Sequence, residues 1–294
     1  MCSLNKYYLM LLLLYFTSCN DSLQRFKTHP SDFVFLITGG HRIWDMHKYT
    51  RSMVSLRTRT VMRYFGDNHY CAGVIIGKRW ILTAAQCAIY HTKVPRRPRS
   101  ILVVTGTKNR IVKSKSTRII AVDRVVVHTG FILNGTNDIA VLHLKEEIEM
   151  DNNTQIMALP TKPPPYGAQC TVLGWGRLYP GGPYAALVAH VELLLYTQEQ
   201  CQKRHPHYTP GDLCAGDNVD FDHDPCRGDT GGPLMCNDKL VALVSRTLGC
   251  GTNKYPSLYT DIYYHLPWIK RATSGKVSLF ELYICVYKYK GCCL

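Results

Sequence analysis

The 294-residue chain is predicted to be all-β, built as two small barrels with a C-terminal helix. Three observations carry this expectation. Short runs rich in Val, Ile, Leu and Tyr recur between Gly, Pro, Asn and Asp: MVSLRTRTVMRYF, CAGVIIG, ILVVTG, IIAVDRVVVH and IAVLHL, then CTVLGWG, LVAHVELLLY, LVALVSR and SLYTDI. Only IYYHLPWIKRAT, residues 262–273, has helical periodicity, with Ile262, Leu266 and Ile269 on one face despite Pro267. A proline-rich strap at 158–167 parts the strand runs into two similar halves, about 37–157 and 168–261.

The elements that precede the barrels concern export. Lys6 stands ahead of an apolar run from Tyr7 to Phe16, followed by Thr17, Ser18 and Cys19, the layout of a secretory signal over residues 1–19. Residues 20–36 form a propeptide-like segment. No later segment reaches the roughly 18 to 20 apolar residues needed to span a bilayer, so a secreted, extracellular protein is expected. Cysteine usage agrees. Of 13 cysteines, eight lie in the body, and in an oxidising compartment eight suggest four disulfides, with about 105 connectivities open from spacing alone.

The net charge of +14 is uneven. Between Lys93 and Arg124 the bases Arg96, Arg97, Arg99, Lys108, Arg110, Lys113, Lys115 and Arg118 face a single acid, Asp123. Such a run attracts polyanions, which outside a cell are sulfated glycans or anionic surfaces and not nucleic acid. The competing reading is a basic surface that only maintains solubility.

Three separated stretches carry chemistry: WILTAAQC at 80–87, NDIAVLHL at 137–144 and DPCRGDTGGPL at 224–234. In order and separation they resemble the signature segments of trypsin-like (chymotrypsin-fold, S1) serine proteases. The resemblance runs from about Ile37 to Ala272 and includes GWG at 174–176. It implies two six-stranded antiparallel barrels in a domain at 37–273, and it looks most like the serine protease homologues common in insects.

In that family a histidine takes the proton of a serine nucleophile and a buried aspartate orients the imidazole. The resemblance places Asp138 at the aspartate, but Gln86 at the histidine and Thr230 at the serine. A glutamine amide is no base near neutral pH, so Thr230 has nothing to activate it. Gln86 is expected to donate to Asp138 in place of the imidazole, since an apolar residue would strand a buried carboxylate. Neutral drift at a released site is the alternative.

The resemblance also implies an oxyanion hole from the amides of Gly228 and Thr230, and a specificity pocket with Asp224 at its base. Ser245, Arg246 and Thr247 replace the family's SWG, and Ser257 replaces a glycine. Thr247 and Ser257 narrow the slot, and Arg246 has the length to fold back onto Asp224. Leu36 precedes Ile37 where the family carries a basic residue for activation. The expectation is therefore a zymogen-like state held by a His69–Asp229 pair.

The disulfides implied are Cys71–Cys87, Cys170–Cys236, Cys201–Cys214 and Cys226–Cys250. Asn134 (NGT) and Asn152 (NNT) are glycosylation candidates on loops of the first barrel. An extension at 274–294 carries Cys285, Cys292 and Cys293, an odd number that permits one intermolecular bridge. No metal site emerges, because HPHY at 205–208 lacks further ligands at a suitable spacing, and no cofactor is expected.

The functional expectation is a secreted, inactive homologue that binds an extracellular protein: a protease, an inhibitor or a receptor. Two alternatives stand beside it: a serine endopeptidase with weak residual trypsin-like activity, and a basic glycan-binding protein.

Overall fold

The computed structural model describes residues 41–42, 47–90, 94–217, 224–247, 250–251 and 255–274. The signal and propeptide-like segments, Leu36 and Ile37, and the extension with its cysteines lie outside these residues. All that is described belongs to one compact unit, Phe35–Leu294.

The first barrel is closed by six antiparallel strands: β2 (Met53–Thr58), β3 (His69–Gly77), β4 (Trp80–Thr83), β5 (Ile101–Thr105), β6 (Arg118–Val127) and β7 (Ala140–Leu144), in the order β2-β3-β4-β7-β6-β5. The second is closed by β8 (Gln169–Gly174), β9 (Ala189–Leu195), β10 (Asp212–Gly216), β11 (Pro233–Cys236), β12 (Lys239–Arg246) and β13 (Ser257–Asp261). Around it they run β8-β9-β10-β13-β12-β11, with β8 pairing back to β9 and the short β1 (His41–Arg42) added on β9.

Side chains alternate across the strands, so β2, β3, β4, β7, β8, β11 and β12 each serve two cores. Val54, Leu56 and Ile75 fill the first barrel, while Val172, Val191 and Leu234 fill the second. The opposite faces meet between the barrels, where Met53, Val74, Leu82 and Val141 pack with Leu173, Trp175, Leu243 and Trp268. This shared layer fixes one barrel against the other and places the loops of both along a common cleft.

Four disulfides reinforce the arrangement with the pairings that the resemblance implied. Cys71–Cys87 ties β3 to the turn that carries Gln86, Cys170–Cys236 ties β8 to β11, and Cys226–Cys250 links the loops around Thr230. Cys201–Cys214 ties β10 to a helix, Gln198–Arg204, that the strand-and-turn reading overlooked. Its local signal is a capping box: Thr197 accepts from the Gln200 amide, and the Gln200 side chain accepts from that of Thr197. The expected C-terminal helix spans Ile262–Thr273, begun by Asp261 accepting from the Tyr264 amide and continuing through Pro267.

The run MVSLRTRTVMRYF is strand only as far as Thr58. Beyond it the chain turns around Asp67, whose carboxylate accepts the amides of Met62, Arg63 and Tyr64. A side chain that caps three amides in succession out-competes strand pairing there.

Candidate active-site cleft

Asp138 lies just before β7 and is 3% exposed. Its neighbour Asn137 has φ 56°, which turns the chain inward ahead of the strand. Gln86 sits in a 3₁₀ turn, Ala85–Ala88, directly after β4. The Gln86 backbone amide donates to Asp138 Oδ1 at 2.9 Å and its side-chain Nε2 donates to Oδ2 at 2.5 Å. Ser245 Oγ donates to the same Oδ2 at 2.6 Å, and Thr260 Oγ1 to the Asp138 carbonyl at 2.8 Å. The second hydrogen of the Gln86 amide goes to the Ser245 carbonyl at 2.8 Å. The buried carboxylate is thus supplied with donors, and the Gln86 nitrogen is fully committed.

Thr230 stands between Gly228, with φ 108°, and Gly231, with φ 79°, in a sharp turn that L side chains would strain. The turn is fixed from both sides, since the Ala72 amide donates to the Thr230 carbonyl at 2.8 Å and the Gly231 amide to Val244 at 2.8 Å. No hydrogen bond joins Thr230 to Gln86 among the described residues. What Gln86 has left is a carbonyl oxygen, which orients a hydroxyl without accepting its proton.

The expected His69–Asp229 pair does not form. Asp229 is fully buried and accepts the amides of Gly176 at 2.6 Å and Cys226 at 2.9 Å. A Cβ on Gly174 or Gly176 would collide with this carboxylate, which explains the two glycines of GWG. Burial pushes the Asp229 carboxyl up to about 6, with the two amides pulling the other way. His69 instead donates from Nε2 to the Gly228 carbonyl at 3.1 Å. That leaves Nδ1 as the acceptor of Ser55 Oγ at 2.8 Å, while Arg57 Nε donates to the same hydroxyl at 3.0 Å. Burial, reinforced by the charges of Arg110 and Arg57, drives His69 down to about 3. A neutral ring between a carbonyl and a hydroxyl has no use for a carboxylate, and two nearby guanidinium groups disfavour the cation that such a pair requires.

Sequence reasoning missed Arg57 and placed Arg110 in a surface run. Both are buried. Arg57 donates to the Arg110 carbonyl at 2.7 Å, and Arg110 donates to the carbonyls of Ala185 at 2.7 Å, Gly66 at 2.6 Å and Tyr184 at 3.0 Å. Together they lock the loop after β2 to those before β6 and β9. Nothing in the local pattern announced them, since a buried arginine satisfied by carbonyls is a tertiary product.

Arg246 does not fold back onto Asp224. It donates to Asp212 Oδ2 at 2.6 Å and weakly to the His207 carbonyl at 3.4 Å. Asp212 on β10 is buried, its carboxyl raised by that burial against the opposing charge of Arg246. Asp224, also buried, accepts Ser257 Oγ at 2.5 Å. Ser257 therefore lies directly against Asp224. Thr247 is partly buried, and Ser245 serves Asp138 more than any pocket wall.

The basic run is not one surface. Lys93 is outside the described residues, Arg110 is internal, Arg118 reaches Glu149 at 3.4 Å, and Arg124 stacks over Trp80. Asn134 and Asn152 are both exposed, Asn134 with φ 60° on the loop leading to Asp138 and Asn152 in the turn Asp151–Thr154. Among the described residues no group of three metal-ligating side chains occurs, and no helix is long and apolar enough to cross a membrane.

The family model described as Trypsin matches residues 38–269. Trypsin I-P1 of Gallus gallus is 31% identical over 70% of this chain and 81% of its own length. The thrombin-like enzyme halystase of Gloydius blomhoffii is 29% identical over 79% of this chain and 93% of its own, and serine protease 1 of Homo sapiens 28% over 70% and 81%. Two closed six-stranded barrels, the cleft between them and this match over most of the chain establish that the protein belongs to the trypsin family of serine proteases.

Proposed function

We propose that this protein is a secreted, catalytically inactive trypsin-family member that acts by binding, with the former substrate cleft as its working surface. The observation that carries this reading is the commitment of Gln86. Both amide hydrogens are spent on Asp138 and the Ser245 carbonyl, so the floor of the cleft is intact while Gln86 itself cannot take a proton from Thr230. Triad losses of this kind lower kcat by roughly 10⁴ to 10⁶. Four disulfides and a complete core keep the fold regardless, as a chain retained for recognition requires. Its partner is an extracellular protein, such as a protease, an inhibitor or a receptor, that engages the rim and cleft.

The second reading is a weak trypsin-like endopeptidase, favoured by Asp224 at the pocket base. One experiment separates the two. Purified protein is assayed against an arginyl ester and treated with an organophosphorus probe, with Thr230→Ala alongside. Neither turnover nor label is expected. Hydrolysis that collapses in Thr230→Ala would establish the enzyme and end the binding-only reading.

A further inference from the structure

Between Asp67 and Asp123 the chain contains no Asp or Glu. Among the bases of that interval, Lys78, Arg79 and Arg118 meet acids and Arg110 is spent on carbonyls, but Arg96, Arg97 and Arg99 have no carboxylate partner among the described residues. Arg96 lies with its guanidinium 4.5 Å from the ring centre of Tyr70 and 5.1 Å from that of Tyr90. Two tyrosines hold the charged plane by cation–π attraction and remove its rotational freedom in advance. The guanidinium donates to no acceptor among the described residues, and its Nε is buried without a partner.

The backbone around it is equally fixed. The Arg96 amide donates to the Ala88 carbonyl at 2.8 Å, two residues from Gln86, and the Tyr90 amide donates to Val94 at 2.7 Å. Tyr90 Oη donates to Ser100 Oγ at 3.2 Å, and Ser100 Oγ to the Arg97 carbonyl at 2.7 Å. Arg97 and Arg99 are exposed on either side of Pro98. Tyr70 Oη is a second buried group without a partner, and burial raises its hydroxyl to about 12, so it remains a donor. These unsatisfied groups, Arg96 Nε and Tyr70 Oη, are therefore donors, and among the described residues no acid pairs with the three charges.

We infer that Arg96, Arg97 and Arg99, with Tyr70 beside them, form a binding site for the sulfate groups of a sulfated glycan at the rim of the cleft. A planar fork of N–H donors matches a sulfate's oxygens. A polymer with repeated sulfates suits two exposed arginines flanking a clamped one. A peptide ligand would look for apolar contact as well, and Val94 is the only large exposed hydrophobic among the described residues of 88–100. This site stands whether or not the cleft retains hydrolysis, so its failure and that of the binding-only reading are separable.

The test uses the full secreted chain and a heparin-derived oligosaccharide, with affinity measured by calorimetry at about 0.15 M salt. Arg96→Gln, and Arg97→Ala with Arg99→Ala, are each expected to weaken binding about tenfold or more. Lys113→Ala with Lys115→Ala removes as much charge from another exposed loop and should cost less than about threefold. A desulfated oligosaccharide of equal length should not bind. Because Arg96 is packed, the exposed Arg97/Arg99 pair keeps the test independent of folding. The proposal is overturned if the lysine pair matters as much as the arginine pair. It is equally overturned if a sulfotyrosine peptide binds more tightly than the oligosaccharide, or if no binding is measured.

Discussion

Gln86 and Asp138 are joined by two hydrogen bonds, one from the backbone amide at 2.9 Å and one from the side chain at 2.5 Å, each to a different carboxylate oxygen. The glutamine thereby does for the buried acid what an imidazole would do, without its basicity.

Replacing the side chain by an apolar one tests this directly. Gln86→Leu leaves Ser245 as the remaining side-chain donor to Asp138, and should cost about 2 to 4 kcal/mol, while Gln86→His should be tolerated. Denaturant unfolding of the two variants gives the comparison. Equal stability of Gln86→Leu and the parent would show that the amide is dispensable.

Chemistry should return only when base and nucleophile are restored together. Gln86→His and Thr230→Ser alone are expected to leave ester hydrolysis at background, and the double variant to exceed either by about a hundredfold or more. Equal rates in one single variant and the double would show that the missing group is elsewhere.

Arg246, partly buried, pairs with the buried Asp212. Arg246→Ala leaves the acid only its Thr209 donors and should destabilise by about 1 to 3 kcal/mol, whereas Arg246→Ala with Asp212→Ala should recover much of the loss. A double-mutant cycle on thermal unfolding reads the coupling. Additive losses would mean that the pair contributes through packing and not charge.

The pH dependence of stability follows from groups moved in opposite directions. Asp229, raised to about 6, favours folding below its unfolded value of 3.8, and that contribution disappears as pH rises through 6. His69, lowered to about 3, and His128, lowered to about 4 by burial, work the other way. Their contribution is full above 6.5 and is lost as pH falls toward those values. His69→Gln should therefore flatten the fall in stability between pH 6.5 and 4, measured by urea unfolding across that range. An unchanged slope would place the His69 titration near its ordinary value.

The Ser55–His69–Gly228 chain should make the turn before Thr230 rigid. His69→Ala removes the side-chain donor to the Gly228 carbonyl and should raise amide exchange at Gly228–Thr230 by about tenfold, read by hydrogen exchange. Unchanged protection would assign that rigidity to the Asp229 carboxylate and the Cys226–Cys250 disulfide.

Strand rhythm, the helix at Ile262–Thr273 and the division into two halves were legible from residue pattern, because alternation and capping act over a few neighbours. The three signature stretches named the family for the same reason: each is contiguous. The helix Gln198–Arg204 was also legible, in its capping box, though the strand rhythm around it drew attention away. What the local pattern could not supply was the choice of partner. His69 took a carbonyl and a hydroxyl over Asp229, Arg246 took Asp212 over Asp224, and Arg110 went inside from the middle of a basic run. Each choice depends on which acceptor the closed barrels bring within about 3 Å of a donor, and on which charge burial tolerates there, and neither quantity exists until the chain is folded.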